Sequence, residues 1–313
     1  MTDDNQKEEV FSFNRNFPLP PGMVEEVVPG VRRVVCNNPS PFTFTGTVSY
    51  IVGRGEVALI DPGPDDEAHA NALLEAVRGE RVTHIFVTHT HIDHSPNTPR
   101  LKAATRAIVY ADGNPLISRR VAAGGPRTSE GGGDTTFQAD VKLLDGQTVT
   151  GKDWALQAIS TPGHASNHMV FAWVGRNILF SGDHVMGWST SIVSPPDGSM
   201  HDYMQSLEKL LCRDEDLYFC GHGPEVRDAK AYVSYLKRHR IARENSILRR
   251  LAKGPADIPT IVRASYIGID PRLVSGAQRS VFAHLEDLVA RKLVATDGEP
   301  GINSVYRLVA VLA

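Results

Sequence analysis

The sequence predicts an α/β protein in which two β-sheets pack face to face with helices outside, followed by a small, mostly helical unit. Three observations carry this. Short β-branched runs closed by Asn, Gly or Pro come in two blocks, each with its own helical stretches, rather than in strict βαβ alternation. No period of 20–50 residues repeats, which excludes solenoids and propellers. From Asp228 onward the pattern turns helical and basic.

In order, residues 1–12 read as a disordered tail. "VRRVVCN" (31–37), "TVSYIVG" (47–53) and "EVALIDPG" (56–63) read as strands. A helix over 65–79 ends at Gly79 and leads to the strand "VTHIFVTH" (82–89). Ser95-Pro96 reads as an N-cap with proline at the first helical position, ahead of the strand "AIVYA" (107–111). Residues 112–135 include "AAGGPRTSEGGGD" and read as a mobile surface loop, either a lid or a plain insertion.

The second block holds the strands "VKLLDGQTV" (141–149) and "WALQAIST" (154–161) and a hairpin over 168–183. An amphipathic helix (202–214) and the strand "LYFCGHGP" (217–224) complete it. Then comes a long helix from Asp228 to Gly254-Pro255, with Tyr232, Leu236, Leu248 and Leu251 on its apolar side. Helical segments at 257–268 and 275–292 and two strands within 293–309 follow. Helix, helix, helix, β-wing is the order of a winged helix-turn-helix. The expected units are therefore 13–225, carrying the chemistry, and 226–313.

The chain has 313 residues, 41% hydrophobic and 22% charged, enough for one large and one small core. The net charge of −3 conceals an asymmetry: residues 226–313 hold 15 Lys+Arg against 8 Asp+Glu, and residues 1–225 hold 18 against 28. The polar, acidic "MTDDNQKEEV" lacks an apolar export segment, and no apolar run reaches the ~18 residues of a membrane span, so a cytoplasmic protein is expected. Cys36, Cys212 and Cys220 show no CxxC spacing and read as reduced thiols, Cys220 as a buried strand residue.

The chemistry concentrates in "THTHIDHS" (88–95). Alternate side chains of an extended segment face one way, so His89, His91 and Asp93 project together while His94 starts the turn. Three more candidates lie at strand ends beside glycines: His164 in "STPGHAS", Asp183 in "FSGDH" and His222 in "CGHGP". Five histidines and two carboxylates are too many ligands for one tetrahedral ion and enough for two. His168 and His184 are candidates for orienting partners or proton donors; His69 and His84 have no assigned role.

HxHxDH, a distant TPGH, then GD and GHG resemble the ordered signature of the metallo-β-lactamase superfamily across residues 31–224. The resemblance implies an αβ/βα sandwich with the site at one edge. It implies that His89, His91 and His164 hold one metal and that Asp93, His94 and His222 hold the other, bridged by Asp183. The cofactor would be two Zn²⁺, with Mn or Fe accepted by the same ligands. β-Lactamases of the best-known dinuclear class carry cysteine where Asp183 stands, so penicillin hydrolysis is not expected. Oxygen-reducing diiron relatives read HxExDH, and His91 argues against that chemistry. Ser95-Pro96-Asn97 departs from the xGG that often follows DH.

Two Zn²⁺ about 3.5–4 Å apart can share a hydroxide that attacks a carbonyl or phosphorus, with Asp93 as a proton acceptor and His184 as a catalytic candidate. "DYMxSL" (202–207) and "HRxxRExxIL" (239–248), followed by the expected winged helix, resemble the β-lactamase-like protein 2 family. That family includes a single-strand endoribonuclease and resembles fungal polyketide thioesterases. Lys237, Arg238, Arg240, Arg243, Arg249, Arg250 and Lys253 form a basic stripe on the long helix, which reads either as a phosphate track or as a solvated face beside an interface, for instance of a homodimer. Three functions follow: a hydrolase of single-stranded RNA, a thioesterase or lactonase of glyoxalase II type, or a metal-responsive nucleic-acid-binding regulator.

Overall fold

The computed structural model describes residues 13–112 and 132–309. The expected tail over 1–12 and most of the Gly-rich stretch within 112–135 lie outside the described residues. The first sheet begins as an antiparallel meander of β1 (Val24–Val28), β2 (Val31–Val35), β3 (Val48–Arg54) and β4 (Glu56–Ile60). It continues in parallel through β5 (Arg81–Phe86), β6 (Ile108–Ala111) and β7 (Val141–Lys142). Helices α1 (Glu67–Ala76) and α2 (Thr98–Thr105) make the crossovers.

The second sheet holds β8 (Thr148–Thr150), β9 (Ala155–Ser160), β10 (Met169–Trp173) and β11 (Ile178–Gly182), all antiparallel. Helix α3 (Met200–Leu211) then returns the chain to β12 (Leu217–Cys220), parallel to β11, and β13 (Val226–Arg227) ends the sheet. The stretch read as one strand over 141–149 is thus two strands in different sheets. Asp145-Gly146 turns between them, with Gly146 at φ 79°.

Period-two alternation explains the layering. In β10, Met169, Phe171 and Trp173 face the core between the sheets, while Val170 and Ala172 face the helices. In β2, Val31 and Val35 point inward and Val34 toward α1 and α2. Helix α3 buries Met200, Tyr203, Leu207 and Leu210, a 3.6-period stripe. Each such apolar side chain contributes about 1.5–3 kcal/mol on burial. Ser199 caps the helix by accepting the Asp202 N–H at 3.3 Å.

Helix α2 starts later than Ser95-Pro96 suggests. Its N-cap is Asn97 and its first-turn proline is Pro99. Ser95 lies in the preceding turn instead, where its hydroxyl donates to Asp134 Oδ2 at 3.0 Å.

Beyond residue 226 come α4 (Ala229–Leu251), β14 (Ala256–Asp257), α5 (Ile258–Ser265), α6 (Val274–Ala290), β15 (Val294–Thr296) and β16 (Val305–Leu308). The strands form a small sheet ordered β14-β16-β15. Tyr232 and Leu236 of α4 join the core outside the second sheet, whereas Ile247 and Leu251 join a separate core with α5 and α6. The basic stripe is not wholly a solvent face. Arg240 is 3% exposed, lies over the Tyr203 ring and donates to the Ser191 carbonyl. Arg243 lies over Tyr266 and donates to the Ser265 carbonyl, and Lys237 pairs with Glu208 at 2.9 Å.

Candidate metal centre

Five loops, each following the C-terminal end of a strand, converge at one edge of the sandwich. They come after β4 (Asp61), β5 (His89 to His94), β9 (His164), β11 (Asp183) and β12 (His222). The structure brings all seven expected donors together in three overlapping groups: His89, His91 and His164; His89, His94 and Asp183; and Asp93, His94 and His222.

The contacts are short. His91 Nδ1 lies 2.9 Å from His89 Nε2 and 3.0 Å from His164 Nε2. A tetrahedral ion with metal–nitrogen bonds of about 2.0–2.1 Å holds its ligand atoms about 3.3 Å apart. His222 Nε2 is 3.2 Å from both Asp93 Oδ2 and Asp183 Oδ2. Asp183 also reaches His94 Nε2, at 3.4 Å from Oδ1, and His164 Nε2, at 3.6 Å from Oδ2. Its carboxylate therefore touches members of both expected ligand sets.

Hydrogen bonds on the far side of four rings leave Nε2 facing the centre. His164 Nδ1 donates to the Ile192 carbonyl at 2.6 Å, and His222 Nδ1 sits 3.4 Å from the Gly46 carbonyl. Asp61 Oδ2 accepts from the Thr88 hydroxyl at 2.8 Å and from His94 Nδ1 at 3.0 Å, and Oδ1 accepts from the Thr88 N–H at 2.7 Å. The Thr88 hydroxyl, which donates to Asp61, accepts from His89 Nδ1 at 3.0 Å. His91 alone presents Nδ1. Such outer contacts fix the tautomer of a metal-binding imidazole.

Glycines make the convergence possible. A Cβ on Gly221 would lie 2.3 Å from Asp183 Oδ1 and 2.9 Å from His94 Cε1. Gly182, at φ 48°, would put one 2.8 Å from both Thr88 Oγ1 and His168 Nε2. His168 supports the same turn: its Nε2 accepts the Asp183 N–H at 3.2 Å, and its Nδ1 lies 2.9 Å from the Thr161 hydroxyl.

The charges divide sharply. Burial, reinforced by His94, holds His89 well below the usual imidazole range, and burial with His164 takes His91 down to about 3. Burial also opposes the His222 cation, but Asp183 and Asp93 outweigh it and carry it up to about 9. His94 rises well above its ordinary value against burial, through Asp93, Asp183 and Asp61. Both carboxylates are driven the other way: burial raises them, yet the cations of His94 and His222 bring them well below the ordinary range. His94 Nε2 and Asp183 Oδ1 are buried with no hydrogen-bond partner. Desolvated donors left in this state fit a cation.

His184 is placed otherwise. It is fully buried, its ring centroid 4.6 Å from that of Tyr203, and neither ring nitrogen has a hydrogen-bond partner. Its carbonyl accepts from Tyr203 and Ser191. The ring does not line the adjoining cavity. Sequence reasoning missed Asp61 and Thr88. The signal is "DPG" at the end of β4, with Asp61 at φ 51°, a conformation that few residues other than glycine adopt.

A cavity of about 340 Å³ opens beside the centre. His91, Asp93, His164, Asp183 and His222 form part of its wall. Most of the remainder is apolar, including Phe42, Ile92, Met186, Ile192 and Pro196.

The family model described as the metallo-beta-lactamase superfamily matches residues 42–222. An atrochrysone carboxyl ACP thioesterase, AgnL7, from Paecilomyces divaricatus is 31% identical over 234 residues, 74% of this chain and 67% of the relative. A beta-lactamase-like protein 2 homolog from Caenorhabditis elegans is 28% identical over 232 residues, 73% of each chain. The crystal structure of a beta-lactamase domain protein from Burkholderia ambifaria superposes with a TM-score of 0.77 at 21% identity, covering 97% of this chain and 99% of that one. That likeness shows the fold along nearly the whole chain.

Proposed function

Because the chain belongs to the metallo-β-lactamase superfamily, we propose that it is a dinuclear, metal-dependent hydrolase of a small acyl thioester or ester. The observation that carries this is the cavity: a mostly apolar chamber of about 340 Å³ with the histidine–aspartate centre in its wall. Its size suits a small acyl group.

His89, His91 and His164 would hold one ion, and Asp93, His94 and His222 the other, with Asp183 between them. Zinc suits this nitrogen and oxygen donor set. When bound, the ions would supply Lewis-acid polarisation of the acyl carbonyl and a water acidic near pH 7. The chain's own residues do the rest. Apolar wall residues hold the acyl chain and exclude bulk water. Asp93, 3.2 Å from His222 and in the wall, would take a proton from the attacking water. Water oxygen joins the acyl carbon, the carbon–sulfur or carbon–oxygen bond breaks, and a carboxylic acid and a thiol or alcohol leave. His184 has no part in this scheme.

Thioester cleavage is favoured among acyl substrates by the likeness to a fungal ACP thioesterase. Single-stranded RNA is the second reading, supported by the basic balance after residue 226 and by the order α4-β14-α5-α6-β15-β16, which suits a winged helix. The inward contacts of Arg240 and Arg243 reduce the charge that helix offers to phosphates. Zinc-loaded protein and its Asp183→Asn variant, assayed on acyl thioesters and on fluorogenic RNA, separate the readings. Thioester turnover lost in the variant supports the proposal; RNA cleavage lost in the variant, without thioester turnover, sinks it.

A further inference from the structure

The segment from Trp188 to Val193 carries no helix or strand and makes no backbone–backbone hydrogen bond among the described residues. Ser191 and Val193 are nonetheless buried. Buried backbone outside a ladder needs other partners, and two adjacent carbonyls find them in side chains. The Ile192 carbonyl accepts His164 Nδ1 at 2.6 Å. The Ser191 carbonyl, one peptide earlier, accepts Nη2 of Arg240, which belongs to α4. The Ser191 hydroxyl in turn donates to the His184 carbonyl at 2.9 Å, next to Asp183. Residue 191 is thus pinned from two sides, and the carbonyl after it is aimed at an expected metal donor.

The guanidinium also lies over the Tyr203 ring, 5.1 Å from its centroid. That tyrosine stands behind two donor loops. Its hydroxyl reaches the His184 carbonyl at 3.0 Å, and a Cβ on Gly163, just before His164, would lie 2.3 Å from its Cα. Arg240 is 3% exposed, pairs with no carboxylate among the described residues, and leaves its Nε without a partner. A buried charge in that state is costly, and an apolar side chain of similar length would fill the interface without the cost. What an apolar side chain lacks is a donor for Ser191.

We propose that Arg240 is a positioning residue of the metal centre: by holding the Ser191 carbonyl, it keeps the Ile192 carbonyl on His164 Nδ1 and so leaves Nε2 free for the ion. Outer contacts of this kind fix the tautomer and orientation of a ligating ring. The region after residue 226 then takes part in metal binding without supplying a ligand. The proposal rests on the two-metal reading for the role of His164, and not on the identity of the substrate.

The test is histidine ¹⁵N NMR of full-length protein at about pH 8, where ordinary imidazoles are neutral. The His164 signals are identified by their loss in His164→Gln. Wild type should show one His164 tautomer, protonated at Nδ1, both without metal and zinc-loaded; Arg240→Met without metal should show a mixture. Competition with a chromophoric chelator should find one ion bound about 10–100-fold more weakly in Arg240→Met, with the His164 signals reporting its release. Arg240→Lys, which keeps an N–H donor for Ser191, should recover part of both effects. Leu236→Ala, one turn away on α4 and fully buried, should lower stability while moving neither reading. A single tautomer with wild-type affinities in folded Arg240→Met overturns the proposal, as does an equal mixture in Leu236→Ala. Should Arg240→Met not fold, Ser191→Ala decides, because it frees the same segment from His184: a tautomer mixture there supports the proposal and an unchanged tautomer overturns it. A wild type that binds one ion or fewer, yet loses its single tautomer in Arg240→Met, upholds the positioning role and sinks only the two-metal reading.

Discussion

Asp61 Oδ2 lies 3.0 Å from His94 Nδ1, although 33 residues separate them, and this contact turns His94 Nε2 toward Asp93 and Asp183. Asp61→Asn should disturb the centre without touching a donor, because the amide can offer N–H to His94 Nδ1 and select the opposite tautomer. Loss of such an outer contact typically costs 10–100-fold in metal affinity. Competition with a chromophoric chelator should show a drop of about that size for one of two ions; wild-type affinity for both would refute the role given to Asp61.

Gly221→Ala should damage the site more than the fold. Its Cβ would sit 2.3 Å from Asp183 Oδ1, which must move, and with it the contacts to His94 and His222. The expected result is a native circular dichroism spectrum with metal content reduced to one ion or fewer per chain.

Stability outside the site should follow packing. Leu207 is fully buried on α3 against the second sheet, so Leu207→Ala should lower unfolding free energy by about 2–5 kcal/mol in urea titrations. An effect below about 1 kcal/mol would mean that this layer packs differently.

Acid should destabilise the chelated protein through histidines buried away from the centre. Burial holds both His69 and His239 down at about 4, and burial with Arg240 holds His284 well below its ordinary value. The unfolded chain takes up these protons near pH 6.5 and the folded chain does so only lower. Their contribution is therefore complete above about pH 6.5 and is lost as pH falls toward 4. Melting temperature should decline across that window, and His239→Gln should flatten the decline.

Much of this site was legible in the sequence because its information is local. His89, His91 and Asp93 follow from extended-chain alternation, and His164, Asp183 and His222 from glycines at strand ends. Asp61 was not, because its partners Thr88 and His94 are distant in the chain and "DPG" also reads as a strand simply ending. The burial of Arg240 was hidden for a similar reason: helical spacing shows which residues share a face, not that Ser191 and Tyr203 will cover it. Among the strands, β1 (VEEVV) and β14, two residues long, carry too little apolar pattern to read. The split of 141–149 between sheets depends on a turn whose consequence is tertiary.

The central claim is that seven side chains hold two ions that serve acyl hydrolysis. Metal analysis of zinc-replete protein, paired with thioester turnover before and after chelation, tests it most directly. The account predicts two ions per chain, turnover abolished by chelation and restored by zinc, and both lost in Asp183→Asn. One ion or fewer per chain, or turnover that survives chelation, would contradict it.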